Sequence, residues 1–160
     1  MRGPIGVAAI PAGTVTDVSQ PFSLPVVPRY AEIDQQGVVF NGHYLTWFDE
    51  ASTAYFENLG ISFDDLNADR YDLKVRHAEV DYLASVRWRD EVRVAVCCTA
   101  IGATSITLEF DVWRRGAGDG GPEVRAVTGR NVYVVVSTED WAKRPVPEVL
   151  RSAIPLPPSD

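Results

Sequence analysis

One segment of this chain has the period of a helix, and almost everything else has the period of a strand. Residues 43 to 59, HYLTWFDEASTAYFENL, place Tyr44, Trp47, Phe48, Ala51, Ala54, Tyr55 and Leu59 on one face, with Asp49, Glu50, Thr53 and Glu57 mostly on the other. Asn41-Gly42 ahead of it offer an acceptor side chain suited to an N-cap, and Gly60 behind it is a natural stop. The rest alternates. Residues 22 to 30 are apolar and broken by prolines, as befits a first strand near a sheet edge. Residues 73 to 86 are extended; 91 to 101 put Val92, Val94, Val96, Cys98 and Ala100 on one face; and 104 to 114 do the same with Ile106, Leu108, Phe110 and Val112. The turn at Gly102 makes a hairpin of the last two runs. A final strand covers 124 to 138, and the Pro-rich tail holds at most a short helix. With no crossover helices between strands, a doubly wound parallel sheet is excluded, and the prediction is α+β: an antiparallel sheet packed on one long helix.

Composition narrows the class further. A length of 160 residues suits one domain with its own core, read here as 21–160 behind a loosely ordered extension, 1–20, that lacks sustained period. Fifteen Lys and Arg against twenty-two Asp and Glu leave a net charge of −7, which argues against nucleic acid as a partner. No apolar stretch is long enough for a membrane span, and the N-terminal apolar run is interrupted by Pro4, Gly6, Pro11 and Gly13, so neither anchor nor signal peptide is expected. Cys97 and Cys98 are strand neighbours that point to opposite faces and make a poor disulfide, which fits a cytoplasmic location.

Most catalytic signatures are missing: the chain has no Walker loop, no dinucleotide fingerprint and no Gly-x-Ser-x-Gly elbow. His43 and His77 are the only histidines and have no partners at metal spacing, so no metal is expected. The glycines of 116–122 precede no helix and read as a hairpin tip. The informative stretch is RYAEIDQQGVVFNGHYLTWFDEAS, residues 29 to 52. Asp34 ends the first extended run, Gly37 lets the chain reverse, and Val38 to Gly42 feed the helix with its first amides unpaired. Such amides, at the positive end of a helix dipole, can polarise a carbonyl and hold an oxyanion while a nearby carboxylate supplies the attack. The plainer alternative makes Asp34 a turn former and Asn41 a cap.

The pattern Asp-x-x-Gly-Val-Val-Phe-Asn-x-x-Tyr-Leu-x-Trp-Phe-Asp-Glu-Ala, Asp34 through Ala51, resembles the acidic-residue motif of the 4-hydroxybenzoyl-CoA thioesterase family of hotdog-fold proteins, including its Tol-Pal-cluster acyl-CoA thioesterases. VDYLASVRWRDEV, 80 to 92, is similar to the strand-turn-strand that follows the helix in that family, and the resemblance runs over about residues 22 to 148. It implies a sheet wrapped around a central helix, and subunits paired as a homodimer or as a tetramer built from dimers. It also implies hydrolysis of an acyl-CoA thioester, with CoA as part of the substrate and no separate cofactor.

Carried over by position, the resemblance makes Asp34 the nucleophile or the general base on water, Asn41 the residue whose backbone N–H faces the thioester carbonyl, and Tyr30 a companion of the Asp. Asp49 matches a position lining an acyl pocket; Gly42, Trp47 and Phe48 are further candidates for its wall, with the core as the other reading of the aromatic pair. Where the benzoyl-type enzyme carries basic residues at the turn between its third and fourth strands, this chain has Gly102-Ala103-Thr104. Lys143 and Arg144 become the candidates for the CoA phosphates. Two alternatives accompany the hydrolase: a hotdog module that binds acyl thioesters without cutting them, and a hotdog dehydratase, which normally pairs a His with an acid.

Overall fold

The computed structural model describes residues 22–118 and 121–157; the expected extension 1–20 lies outside them. Strands β1 (Phe22–Val26), β2 (Tyr71–Tyr82), β3 (Glu91–Ile101), β4 (Ser105–Arg115) and β5 (Val124–Ser137) form one sheet in the order β1-β3-β4-β5-β2. Every pairing is antiparallel. Helix α1 (His43–Asn58) covers one face, and two short helices, α2 (Phe63–Ala68) and α3 (Glu148–Ala153), add Leu66 and Leu150 to the core. This is the expected α+β layer.

The long helix forms where its apolar spacing puts it, burying Tyr44, Trp47, Phe48, Ala51, Tyr55 and Phe56. Its C-terminus is a Schellman motif: Gly60, at φ +77°, donates to the Glu57 carbonyl and Ile61 donates to that of Phe56. Its start differs from expectation. The N-cap is Gly42, not Asn41, and no side chain caps it. The aromatic stripe meets Val94, Val96, Leu108, Phe110 and Val112, the inward residues of β3 and β4. Burial of each large side chain here is worth roughly 1.5–3 kcal/mol. Phe48 stacks on Phe110 with ring centroids 4.5 Å apart, and its ring lies against Gly129, the register partner of Phe110 on β5.

Three expectations shift. The first strand stops at Val26, and Tyr30–Glu32 is a 3-10 turn, because Glu32 turns back to bond Arg29. The strand predicted over 73–86 spans Tyr71–Tyr82 and hands over to a loop at Leu83. Ala100 leaves the inward face because the β3–β4 register shifts between Cys98 and Ala100. Helix α2 escaped the periodicity because it is only six residues long; the Ser62 hydroxyl that accepts from the Asp65 amide marks its start. Cys97 is exposed and Cys98 buried, both as free thiols.

The two sheet edges are unlike. β1 is five residues long and contains Pro25, the usual blunting of an edge. β2 is a twelve-residue edge strand with most of its side chains exposed.

Candidate active site

The segment from Arg29 to Gly42 folds into a small hairpin that delivers the chain to α1. Ile33 bridges Val39, the Asp34 amide donates to the Val38 carbonyl at 2.9 Å, and the Phe40 amide donates to that of Glu32 at 2.9 Å. Its tip is the turn Asp34–Gly37, where Gly37 has φ +74° and its amide donates to the Asp34 carbonyl. A side chain there would be strained, which is why the reversal falls on a glycine. Asp34 is half-buried, and its Oδ1 accepts the Gln36 amide at 2.7 Å. It is therefore a turn former, and its second carboxylate oxygen has no protein donor among the described residues.

Asn41 is exposed, and its carbonyl accepts the Tyr82 hydroxyl at 3.0 Å. Among the described residues, the amides of Asn41 and Gly42 donate to no protein acceptor. Two free donors and the start of a sixteen-residue helix thus follow directly on the hairpin that carries the carboxylate.

Other candidates separate. Tyr30 is 75% exposed and rests edge-on against Trp88, 5.4 Å between centroids, instead of bonding Asp34. Trp47 and Phe48 are core side chains in this chain, at 1% and 0% exposure. Gly42 stands where an added Cβ would come within 3.0 Å of the Phe40 ring. Asp49 is exposed on the helix, its carbonyl accepting the hydroxyls of Ser52 and Thr53. Lys143 and Arg144 lie far away, beside the end of β5, and Arg144 holds both carboxylate oxygens of Asp140. A concavity of about 740 Å³ opens on the sheet face opposite α1, lined by paired charges such as Arg130 with Glu79 and Arg125 with Asp111, and includes none of these candidates.

Two supporting residues went unread in the sequence. Glu32, 2% exposed, accepts from the Arg29 amide (2.7 Å), the Arg29 guanidinium (2.8 Å) and Trp47 Nε1 (3.3 Å), and so ties the hairpin to α1. Burial alone would push its carboxyl up, but these donors together hold it below the ordinary carboxylate range. The Arg29-x-x-Glu32 spacing was its available signal. Tyr82 had none, since its partner lies 41 residues away. Beside it Tyr44 packs edge-on, at 5.6 Å, with burial pushing its hydroxyl up to about 12. Among the described residues no group of three or more His, Cys, Asp or Glu could hold a metal, and no helix is long and apolar enough to cross a membrane.

Residues 36–120 match the thioesterase superfamily, a span that begins just after Asp34 and takes in α1 and strands β2 to β4. The chain is 29% identical over 87 residues to the acyl-CoA thioester hydrolase YbgC of Escherichia coli O6:H1, covering 54% of this chain and 65% of the relative. It is 25% identical over 127 residues to the 1,4-dihydroxy-2-naphthoyl-CoA hydrolase of Synechococcus elongatus, covering 78% and 88%. Matches to the first curated relatives thus span from about a quarter to just under two thirds of their length. A thioesterase of Thermus thermophilus, solved with coenzyme A and zinc, superposes with a TM-score of 0.69 at 29% identity, over 86% of this chain and 94% of the other. At 23% identity a DHNA-CoA thioesterase of Staphylococcus aureus shares the fold, with a TM-score of 0.68 over 77% and 78%. Sheet order, central helix and sequence agree: this chain is a hotdog-fold member of the thioesterase superfamily.

Proposed function

We propose that the chain hydrolyses an acyl-CoA thioester to a free acid and CoA. The observation that carries this reading is the hairpin that joins the Asp34 carboxylate, through residues 35–40, to the free amides of Asn41 and Gly42 at the head of α1. A thioester oxygen held by those amides would gain stabilisation as it becomes an oxyanion. Asp34 then has two available roles. As nucleophile it expels the CoA thiolate and leaves a mixed anhydride that water opens; as general base it takes a proton from the attacking water. The names of the relatives, acyl-CoA thioester hydrolase and naphthoyl-CoA hydrolase, support the substrate class.

Pairing through β2 completes this reading. Its twelve residues set the Tyr82 end and the Tyr71 end roughly 36 Å apart. Asn41 stands at the first end, and Lys143 and Arg144 stand by the second, so one chain cannot apply both to one thioester. Two β2 strands paired antiparallel about a two-fold axis would bring the basic pair of one protomer toward the hairpin of the other. At twelve residues, against five and a proline in β1, β2 offers the longer edge, which favours that homodimer over pairing through β1.

The test is a screen of short, long, branched and aromatic acyl-CoAs, read by free thiol release, on the wild type and on Asp34→Asn. Turnover of at least one ester that falls about 100-fold or more in the variant is the expected result. Full turnover in Asp34→Asn rejects the mechanism. Tight binding of an ester without turnover would establish a binding module instead.

A further inference from the structure

We infer that Tyr82 is a positioning residue that aims the amides at the head of α1; the inference rests on the hydrolase reading above. Tyr82 is the last residue of β2, and its hydroxyl donates to the carbonyl that lies between the two free amides, that of Asn41. In a trans peptide the C=O of one residue and the N–H of the next point in opposite directions. Holding the Asn41 carbonyl on Tyr82 therefore turns the Gly42 N–H away from β2 and fixes the torsion that relates it to the Asn41 N–H.

This restraint matters because no side chain caps the start of α1. The N-cap, Gly42, has as a glycine wide torsional freedom. Just upstream, the Val39 amide is pinned to the Val86 carbonyl at 2.9 Å. The stretch 39–41 is thus stitched to 82–86 at two points, one backbone and one phenolic. The ring of Tyr82 is itself seated edge-on against buried Tyr44, which limits the swing of its hydroxyl. Oxyanion stabilisation depends on donors fixed before the charge develops, and a small misplacement is expensive in rate. Tyr82 also sits on the strand whose free edge we propose to meet a second copy, so pairing of the chains would steady the same tether.

Tyr82→Phe keeps the ring on Tyr44 and deletes only the hydroxyl, which is at the surface, so the fold survives. With the ester found in the screen, kcat should fall about tenfold while KM and the shape of the pH profile stay as in the wild type. By NMR, the backbone order parameters of the Asn41 and Gly42 amides should fall, and the melting temperature should hardly move. An unchanged kcat overturns the inference, as does a rise in KM alone, which would make Tyr82 a binding contact. Loss of a limb of the pH profile would make it a proton donor and overturns it equally. A wild type that cleaves no ester sinks the hydrolase reading and the kinetic part with it, while unchanged order parameters of the two amides in the variant sink the tether by itself, whatever the activity.

Discussion

Gly129→Ala tests the packing that seats the helix. A Cβ built at Gly129 lies 2.2 Å from Phe48 Cε2 and 2.5 Å from Cζ, against roughly 3.5–4.0 Å for relaxed carbon contact. The ring must recede by more than an ångström, yet it is stacked on Phe110 and fully buried. Overpacking of this kind costs about 1–3 kcal/mol, and removing a glycine from a strand returns about 0.5–1 kcal/mol. The net expectation is a loss of roughly 1–2 kcal/mol, read as a lower denaturant midpoint or a fall in Tm of roughly 2–8 °C. Because Phe48 is on the second turn of α1, displacing it also tilts the head of the helix, so turnover should drop as well. The decisive measurement is the same substitution in a Phe48→Ala background. There the obstacle is gone, and Gly129→Ala should stabilise by about 0.5–1 kcal/mol. If Gly129→Ala destabilises equally in both backgrounds, contact with Phe48 is not the cause and the reasoning fails.

Glu32 makes stability pH-dependent: with its folded-state carboxyl held below the ordinary value of 4.5, its contribution is complete above that value and is lost as pH falls through the lower, folded-state one. Glu32→Gln should cost about 1–3 kcal/mol at neutral pH and flatten the acid limb of denaturant midpoints; parallel acid limbs would show that the charge is not the source. The proposed sharing of the site between two protomers predicts complementation: Asp34→Asn chains and Lys143→Ala/Arg144→Ala chains, each weak alone, should recover about a quarter of wild-type activity when co-assembled in equal amounts, because half the dimers would carry one intact site. No recovery would place both groups on one protomer's site or remove the cations from it.

The architecture was readable because its signals are local. The helix from His43 to Asn58 and the β3–β4 hairpin each announce themselves by a period within a dozen residues. What misled was chemistry that acts across the chain. Asn41 looked like a cap because its side chain is of the capping type, yet the structure uses its carbonyl, held by a tyrosine from β2. Tyr30 continued an extended run on paper, but Glu32 bends that segment into a 3-10 turn by bonding back to Arg29. The Asp34 turn was legible from the Asp and Gly three residues apart. Trp47 and Phe48 read as pocket wall or as core, and the partners that bury Phe48, Phe110 and Gly129, stand on strands far along the chain and out of sight of any local period.

The adjacent cysteines give the molecule a natural readout of its own integrity. An alkylating reagent meets Cys97 on the native surface, whereas Cys98, 1% exposed, becomes available only when β3 comes away from the helix. One adduct per polypeptide then marks intact material and two mark molecules that have opened, so intact-mass spectra can count the opened fraction without any introduced label.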